Sequence, residues 1–233
     1  MWQLDQHLAM GNWPPLWLES RLDQAPLGWR VTLGGNDLAG RWWQIRLPWL
    51  GNVVPCDQYV RGNDLVVRYP LQSRERLEPV VYWRALAGPA SEWGGVELIL
   101  SMQTDSLDSD PSVFVRTWTS SQGVYFLDHA GKLVRLEATR RRLGTEESLP
   151  VLVLRTKFGT YIEMVYPGDF CSVRVAQVAD RASIAWKLFA ERLEKGVIRR
   201  TRVQGIFASS DVSPQTIVQA YDAFCQAPLP LTA

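Results

Sequence analysis

Charge, cysteine and long apolar runs are all scarce in this sequence. Of its 233 residues 21% are charged, with a net charge of only +1, whereas globular proteins average about 25% charged residues. Such a balance argues against a nucleic-acid partner, because binding nucleic acid requires clustered cations. No run approaches the roughly 18 apolar residues of a membrane helix, and the 46% hydrophobic content excludes disorder as the main state. We therefore expect a soluble folded protein with no membrane partner.

The usual marks of secretion, metal binding and cofactor binding are missing as well. The three cysteines are scattered, which fits a reducing compartment, and the N-terminus lacks a signal-peptide pattern. The sequence therefore predicts a cytoplasmic protein. It has only two histidines and no G-x-G-x-x-G, H-E-x-x-H or G-x-S-x-G motif. We expect no metal and no cofactor, and these absences leave open whether the chain is an enzyme.

The basic residues are strongly biased towards arginine. Only four of the 25 are lysines, and arginine binds carboxylate or phosphate groups through a planar fork; a GC-rich genome would produce the same bias. The cluster at 140–142 is predicted to be a solvated loop neutralised by Glu146 and Glu147. Strand alternation divides the cluster at 199–202 between two faces, so the sequence predicts no continuous basic stripe.

Turn signals and alternating apolar residues dominate the chain from 29 to 178. The turns include Gly34-Gly35-Asn36-Asp37, Gly62-Asn63-Asp64 and Lys157-Phe158-Gly159, and the segments between them alternate with a period of two. The segments 59–69 and 124–136 are predicted hairpins, and Val151–Leu154, apolar on both faces, is a predicted central strand. This pattern indicates a mainly β fold: a large antiparallel β-sandwich or a partly open barrel.

Two helices are predicted near the end of the chain. Ala185, Leu188, Phe189 and Leu193 form an apolar stripe at helical spacing within 180–195. A strand over 197–208 follows, and then a second helix that begins at Ser213-Pro214. With these helices the sandwich resembles, in fold alone, the supersandwiches of sugar epimerases and of accessory domains in polysaccharide-active enzymes.

We predict one domain over 1–233. It consists of an extended Trp-rich arm over 1–27, a β-sandwich over 28–178 and a helix–strand–helix segment over 179–233.

Three carboxylates are the candidate catalytic residues. Alternation places Glu163 on one face with Tyr161 and Val165; if that face is inward, burial raises its pKa towards a value useful for proton transfer. Asp169, just beyond the same strand, could supply a second carboxylate at the same rim, and Glu97 is a further candidate. The alternative for Glu163 is a structural ion pair or a place on the outer face.

Arg61, Asp64, Tyr82 and Trp83 are the candidate ligand-binding residues. Aromatic planes beside charged groups form saccharide or nucleotide subsites, because sugar rings stack on the aromatics while the charges bind hydroxyls or phosphates. The same residues also suit an ordinary hairpin with a cross-strand ion pair and a buried tryptophan.

Eleven tryptophans require either a large core or an interface. Most are expected to fill the core, but if alternation holds at Trp42-Trp43, one of the two must point outward. Such aromatics, with Trp49 nearby, could form a carbohydrate platform or a homo-oligomer interface.

Three functions therefore stand as hypotheses. The favoured one is a non-catalytic module that binds a carbohydrate or another small polar ligand. The alternatives are a carboxylate-dependent enzyme acting on a sugar-like substrate and a scaffold that forms oligomers.

Overall fold

Two large antiparallel sheets make up most of the molecule in the computed structural model. The structure describes residues 1–24, 28–46, 53–70, 76–87, 93–137, 139–189, 191–208 and 212–228. Within these ranges, eighteen strands form two sheets of nine strands each, and there is no closed barrel. The predicted antiparallel sandwich is therefore confirmed.

The first sheet has the strand order β1-β2-β3-β4-β5-β10-β17-β16-β13. With strands numbered in chain order through both sheets, its members are β1 (Trp2–Asp5), β2 (Leu8–Trp13), β3 (Leu16–Arg21), β4 (Trp29–Leu33), β5 (Asn36–Arg46), β10 (Val113–Ser120), β13 (Arg140–Leu143), β16 (Phe170–Val178) and β17 (Arg181–Leu188).

The second sheet has the order β12-β11-β14-β15-β18-β9-β8-β7-β6. Its members are β6 (Asp57–Arg61), β7 (Asp64–Arg68), β8 (Leu77–Ala87), β9 (Trp93–Thr104), β11 (Gly123–Leu127), β12 (Leu133–Arg135), β14 (Val151–Thr156), β15 (Gly159–Val165) and β18 (Ile198–Ala208). A short 3₁₀ turn, Pro167–Asp169, and one helix, α1 (Pro214–Gln226), complete the described elements. The predicted hairpins are confirmed as β6–β7 and β11–β12.

The apolar core has two parts. The larger part fills the space between the sheets, and a smaller one lies between the outer face of the second sheet and α1. Strand β14 contributes to both, with Leu152 facing the first and Val151 the second, as its two apolar faces predict. Helix α1 begins as predicted: the Ser213 hydroxyl accepts a hydrogen bond from the Thr216 backbone N–H at 3.1 Å, which caps a free donor of the first turn.

The predicted helix over 180–195 is wrong. Residues 181–188 form β17, which pairs with β10 on one side and β16 on the other. The helical stripe omitted Ile184 and Trp186, whereas strand alternation buries both of them completely. Burial of these two large side chains outweighs the helical spacing, and the described part of the chain therefore has one helix near its C-terminus instead of two.

The N-terminal segment, predicted to be an extended Trp-rich arm, forms three regular strands of the first sheet. Strands β1, β2 and β3 form an antiparallel meander that continues through β4. Two of its three tryptophans join the core: Trp2 is 3% exposed and contacts Trp29, with ring centroids 5.2 Å apart, and Trp13 packs against the core. Trp17 is half-buried and alternates away from the core residues Leu16 and Leu18.

Trp42 and Trp43 do not alternate as expected. Both side chains are fully buried, because β5 has register shifts against both of its neighbours and Trp43 adopts a left-handed backbone with φ of 51°. A bulge of this kind places two consecutive side chains on one face. Trp49 lies outside the described residues, and homo-oligomer formation through tryptophans stays a prediction.

Candidate functional site

Glu163 lies in the interior between the two sheets. Alternation along β15 places it on the inner face with Tyr161 and Val165, and it is fully buried. The Tyr161 hydroxyl donates to Glu163 Oε2 at 2.6 Å, and Trp186 Nε1 donates to Oε1 at 2.8 Å. Burial raises the pKa of Glu163 to about 7, although the hydrogen bonds from Tyr161, Thr117 and Trp186 oppose that rise.

The surroundings of Glu163 are densely packed. The Trp43 and Tyr161 rings pack closely over Gly205, the residue paired with Glu163 on β18. A Cβ at Gly205 would lie only 2.6 Å from Tyr161 Oη, so no side chain fits there. Glu163 therefore lies in a densely packed polar cluster within the core.

Asp169 and Glu97 lie elsewhere. Asp169, in the 3₁₀ turn, pairs with Arg199 at 3.4 Å; burial raises its pKa, and Arg199 opposes that effect. Glu97 pairs with Arg202 at 3.6 Å on the outer face of the second sheet; burial raises its pKa too, and Arg202 and Arg84 oppose the rise. Glu163 and Glu97 therefore occupy opposite faces of one sheet and cannot act on a single substrate. In the described part of the chain, no hydrogen bond or ion pair joins Asp169 to Glu163.

The four candidate ligand residues divide between the two faces of the second sheet. Trp83 is 5% exposed in the core, with its ring 5.3 Å from that of Trp29. Its neighbour Tyr82 is half-buried on the outer face. Asp64, on the same outer face, forms a bidentate ion pair with Arg84 at 2.7 and 2.8 Å, and Arg61 is exposed. The structure thus brings Asp64 and Tyr82 to one face and places Trp83 on the other.

A cleft at one end of the sandwich brings together turns from both sheets. Its volume is about 570 Å³, within the range of roughly 300–1,000 Å³ that is usual for small-ligand sites. It is formed by the start of β5, the β10–β11 connection, the β14–β15 turn and the β16–β17 turn. The lining residues are Asp37, Leu38, Ala39, Thr119, Ser120, Ser121, Gln122, Thr156, Lys157, Phe158, Ala179 and Asp180.

Several cleft hydroxyls are used to hold the turns in place. Ser121 Oγ lies 2.9 Å from the Gly123 carbonyl oxygen and 3.1 Å from that of Arg155, and the two carbonyls share its single proton. Thr156 Oγ1 donates to the Gly159 carbonyl at 2.9 Å and accepts from the Phe158 backbone N–H at 3.1 Å. These bonds fix the backbone of the cleft wall before any ligand arrives.

The cleft also presents polar groups to solvent beside an aromatic ring. Asp37, Gln122, Lys157 and Asp180 are exposed, and Phe158 is half-buried. The Lys157 ammonium lies 4.7 Å from the centroid of the Phe158 ring, and Asp37 Oδ2 lies 3.6 Å from Arg30 Nη2. A flat apolar ring surrounded by donors and acceptors can stack against a sugar while the polar groups bind its hydroxyls.

The sequence predicts turns at Asp37 and at Lys157-Phe158, but it places Asp180 at the start of a helix and does not bring these residues together. The available signal was that the Lys157-Phe158 turn carries an aromatic and a charge. The proximity of that turn to Asp37 and Asp180 depends on strand order, which the sequence did not reveal.

Over the described ranges, no group of three or more His, Cys, Asp or Glu side chains is placed to hold a metal ion. In the same ranges, no helix has the length and apolar content needed to cross a membrane.

Comparison with known proteins finds likeness in structure only. No family model matches the sequence, and no curated protein matches it. NagBb, an α-N-acetylgalactosaminidase from Bifidobacterium bifidum solved as a quadruple mutant, aligns with a TM-score of 0.61 at 13% identity, over 92% of this chain and 38% of its own. A mutant of the heparan sulfate lyase HepC from Pedobacter heparinus aligns with a TM-score of 0.52 at 7% identity, over 88% and 36%. This chain thus spans well under half of either protein, and the likeness is one of fold.

Proposed function

We propose that this chain is a non-catalytic β-sandwich module that binds a carbohydrate in the cleft at the end of the sandwich. The observation that carries the proposal is the combination of Phe158 with Lys157, Asp37, Asp180 and Gln122 around one cleft of about 570 Å³. Sugar rings have apolar faces and hydroxyl edges, so they match a site made of one aromatic plane and several polar groups.

Two further observations support this proposal. The hydrogen bonds of Ser121 and Thr156 hold the cleft wall in a fixed shape, which lowers the entropy lost on binding. The two structural neighbours are named for enzymes that act on carbohydrates, which favours a saccharide among small polar ligands. Fold analogy carries limited weight, so the cleft chemistry remains the main argument.

A titration with a panel of neutral oligosaccharides tests the proposal. We expect millimolar or tighter binding of at least one glycan, and about a tenfold weaker affinity for Phe158→Ala, because the stacking plane is lost. Leu107→Ala is the matched control, since Leu107 is 81% exposed and does not line the cleft. Silence across the panel would sink the proposal.

The same titration separates the cleft from the residues singled out in the sequence. Tyr82→Ala removes the aromatic ring on the outer face of the second sheet. If Tyr82→Ala weakens binding and Phe158→Ala does not, the ligand binds beside Asp64 and Tyr82 and the cleft assignment is wrong.

A carboxylate-dependent enzyme is the second candidate, because Asp37 and Asp180 line the same cleft. Glycosidases place two carboxyl groups on either side of the bond that is cleaved. Mass spectrometry of a bound glycan after long incubation distinguishes the two functions. If the chain is a binding module, the glycan is recovered intact. If the chain is an enzyme, cleavage products appear, and they are absent with the Asp180→Asn variant.

A further inference from the structure

The outer face of the first sheet carries a dense group of cations. The group, called the basic face below, consists of Arg46 on β5, Arg116 on β10, Lys187 on β17, Arg174 on β16, and Arg140 and Arg142 on β13. Arg46, Arg140, Arg142 and Arg174 are exposed, and Arg116 and Lys187 are half-buried. The segment 140–142, which the sequence predicts to be a loop, is therefore a strand that extends this face.

Strand pairing brings these side chains close together. Arg142 is the direct cross-strand partner of Arg174, and Arg174 and Arg116 both pair with Ala185, one from each side. Neighbouring strands lie about 4.8 Å apart, so Arg116 and Arg174 are about 10 Å apart across the sheet. In the next row, Phe114 lies between Arg46 and Lys187, with the Arg174 guanidinium 5.8 Å from the centroid of its ring.

Carboxylates balance little of this charge. Asp110, just before β10, lies near Lys187, and its pKa is lowered by hydrogen bonds from Ser112 and, to a smaller extent, by Lys187. In β10, β13, β16 and β17, none of the side chains that alternate onto this side is acidic. No ion pair within the described ranges involves any of the six cations. The whole chain has a net charge of only +1, so the face concentrates positive charge that the rest of the surface offsets.

Protection of the sheet edge accounts for only part of this arrangement. Charged residues on an edge strand prevent edge-to-edge aggregation, which explains Arg140 and Arg142 on β13. Arg116 and Arg174, however, lie on interior strands. Like charges placed directly across two strands are destabilising, so the Arg142–Arg174 pair costs stability until an anion lies between them.

We propose that the basic face binds an anionic polysaccharide, one whose sugars carry carboxylate or sulfate groups. Five of the six cations are arginines, and the planar guanidinium fork matches carboxylate and sulfate oxygens. A face made of neighbouring extended strands offers a broad surface for an extended chain. Among the described residues, this face has no helix or ribbon to enter a DNA groove. The preference for a saccharide over a nucleic acid also rests on the proposed function.

Binding assays with defined polyanions test the proposal. The probes are dextran sulfate, polygalacturonate, unmodified dextran and a single-stranded DNA of matched charge, at about 50 mM salt, where screening is moderate. We expect the two anionic polysaccharides to bind, unmodified dextran to show no binding that depends on this face, and DNA to bind at least about tenfold more weakly. Equal or tighter binding of DNA, or no binding of either anionic polysaccharide, would overturn the proposal.

Charge-neutralising variants locate the binding surface. Arg142→Gln combined with Arg174→Gln should weaken the affinity for dextran sulfate at least about tenfold. Each charge-assisted hydrogen bond that is lost accounts for a large part of that decrease in affinity. Lys132→Gln combined with Arg135→Gln removes the same charge from exposed positions of the second sheet and should change binding less than about twofold. Equal effects of the two double variants would overturn the proposal.

Two further variants keep the outcome decisive. If the Arg142→Gln/Arg174→Gln double variant fails to fold, Arg46→Gln replaces it, because Arg46→Gln removes only one exposed cation. Lys187 is left unchanged, because it contributes to the lowered pKa of the nearby Asp110, after the larger effect of Ser112. Phe158→Ala should leave polyanion binding intact. If the cleft proposal is wrong, neutral glycans do not bind while anionic polysaccharides still bind the basic face. If the basic-face proposal is wrong, anionic polysaccharides do not bind there while neutral glycans still bind the cleft.

Discussion

At the scale of single residues, the buried carboxyl of Glu163 has the largest consequence for stability. A fully buried charge is costly, and three hydrogen-bond donors around Glu163 offset only part of that cost, because its pKa remains raised to about 7. Between the ordinary value of 4.5 and about 7, the folded protein holds this proton more tightly than the unfolded chain does. The contribution of Glu163 to the free energy of unfolding is therefore fully present below about pH 4.5 and is lost as the pH rises through about 7.

Glu163→Gln should remove this pH dependence. The amide still accepts from Trp186 and can donate to Tyr161, but it never becomes charged. We expect the free energy of unfolding of the wild type, relative to the variant, to fall by about 3 kcal/mol between pH 4.5 and pH 8. Urea unfolding across this range measures the difference, and subtracting the variant cancels Asp169 and Glu97, whose pKa values are also raised.

The exposed Glu137 provides the control for this experiment. Glu137→Gln should give a stability curve parallel to that of the wild type. If the stability curve of Glu163→Gln were also parallel to that of the wild type, burial would not raise the pKa of Glu163 as described.

The sequence predicted part of this cluster. Alternation placed Glu163 with Tyr161 and Val165 but left open which face was inward. The partner Trp186 could not be identified, because it lay in a segment whose apolar spacing also fitted a helix.

At the scale of elements, Arg202 links α1 to the second sheet. Its side chain is 1% exposed, and Nη2 donates to the Phe224 carbonyl of α1 at 2.9 Å. The guanidinium also lies 4.8 Å from the Phe224 ring and 5.2 Å from the Tyr166 ring, and it pairs with Glu97. One side chain therefore holds the C-terminal turn of the helix against β15, β18 and β9.

Arg202→Met should destabilise the protein by about 3–5 kcal/mol, because it leaves Glu97 buried without its main counter-ion. Combining it with Glu97→Gln should recover a large part of that loss. Chemical unfolding of the two single variants and the double variant forms a thermodynamic cycle. Additive effects in that cycle would show that the two side chains do not stabilise each other.

Local signals predicted some elements better than others. The Ser213-Pro214 cap correctly located α1, because capping depends on residues close in sequence. The segment 181–188 was misassigned, since its strand character comes from pairing with β10 and β16 on both sides, and neither neighbour is close enough in sequence to show this.

At the scale of the whole molecule, the sandwich brings distant turns together at one end. The cleft contains residues from 37 to 180, and its composition depends on β5, β10 and β17 being neighbours in one sheet while β14 and β15 are neighbours in the other. Alternation and turn chemistry predict strands and hairpins, but they contain no information about which strands lie side by side. The fold class was therefore predictable from the sequence, and the site was not.

NMR chemical-shift mapping of a bound neutral glycan determines whether the ligand occupies the cleft. We expect the largest shifts on the backbone amides of 37–39, 119–122, 156–158 and 179–180, and we expect Phe158→Ala to reduce them strongly at the same glycan concentration. Shifts centred on Arg61, Asp64 and Tyr82, or no shifts with any glycan at millimolar concentration, would contradict this expectation.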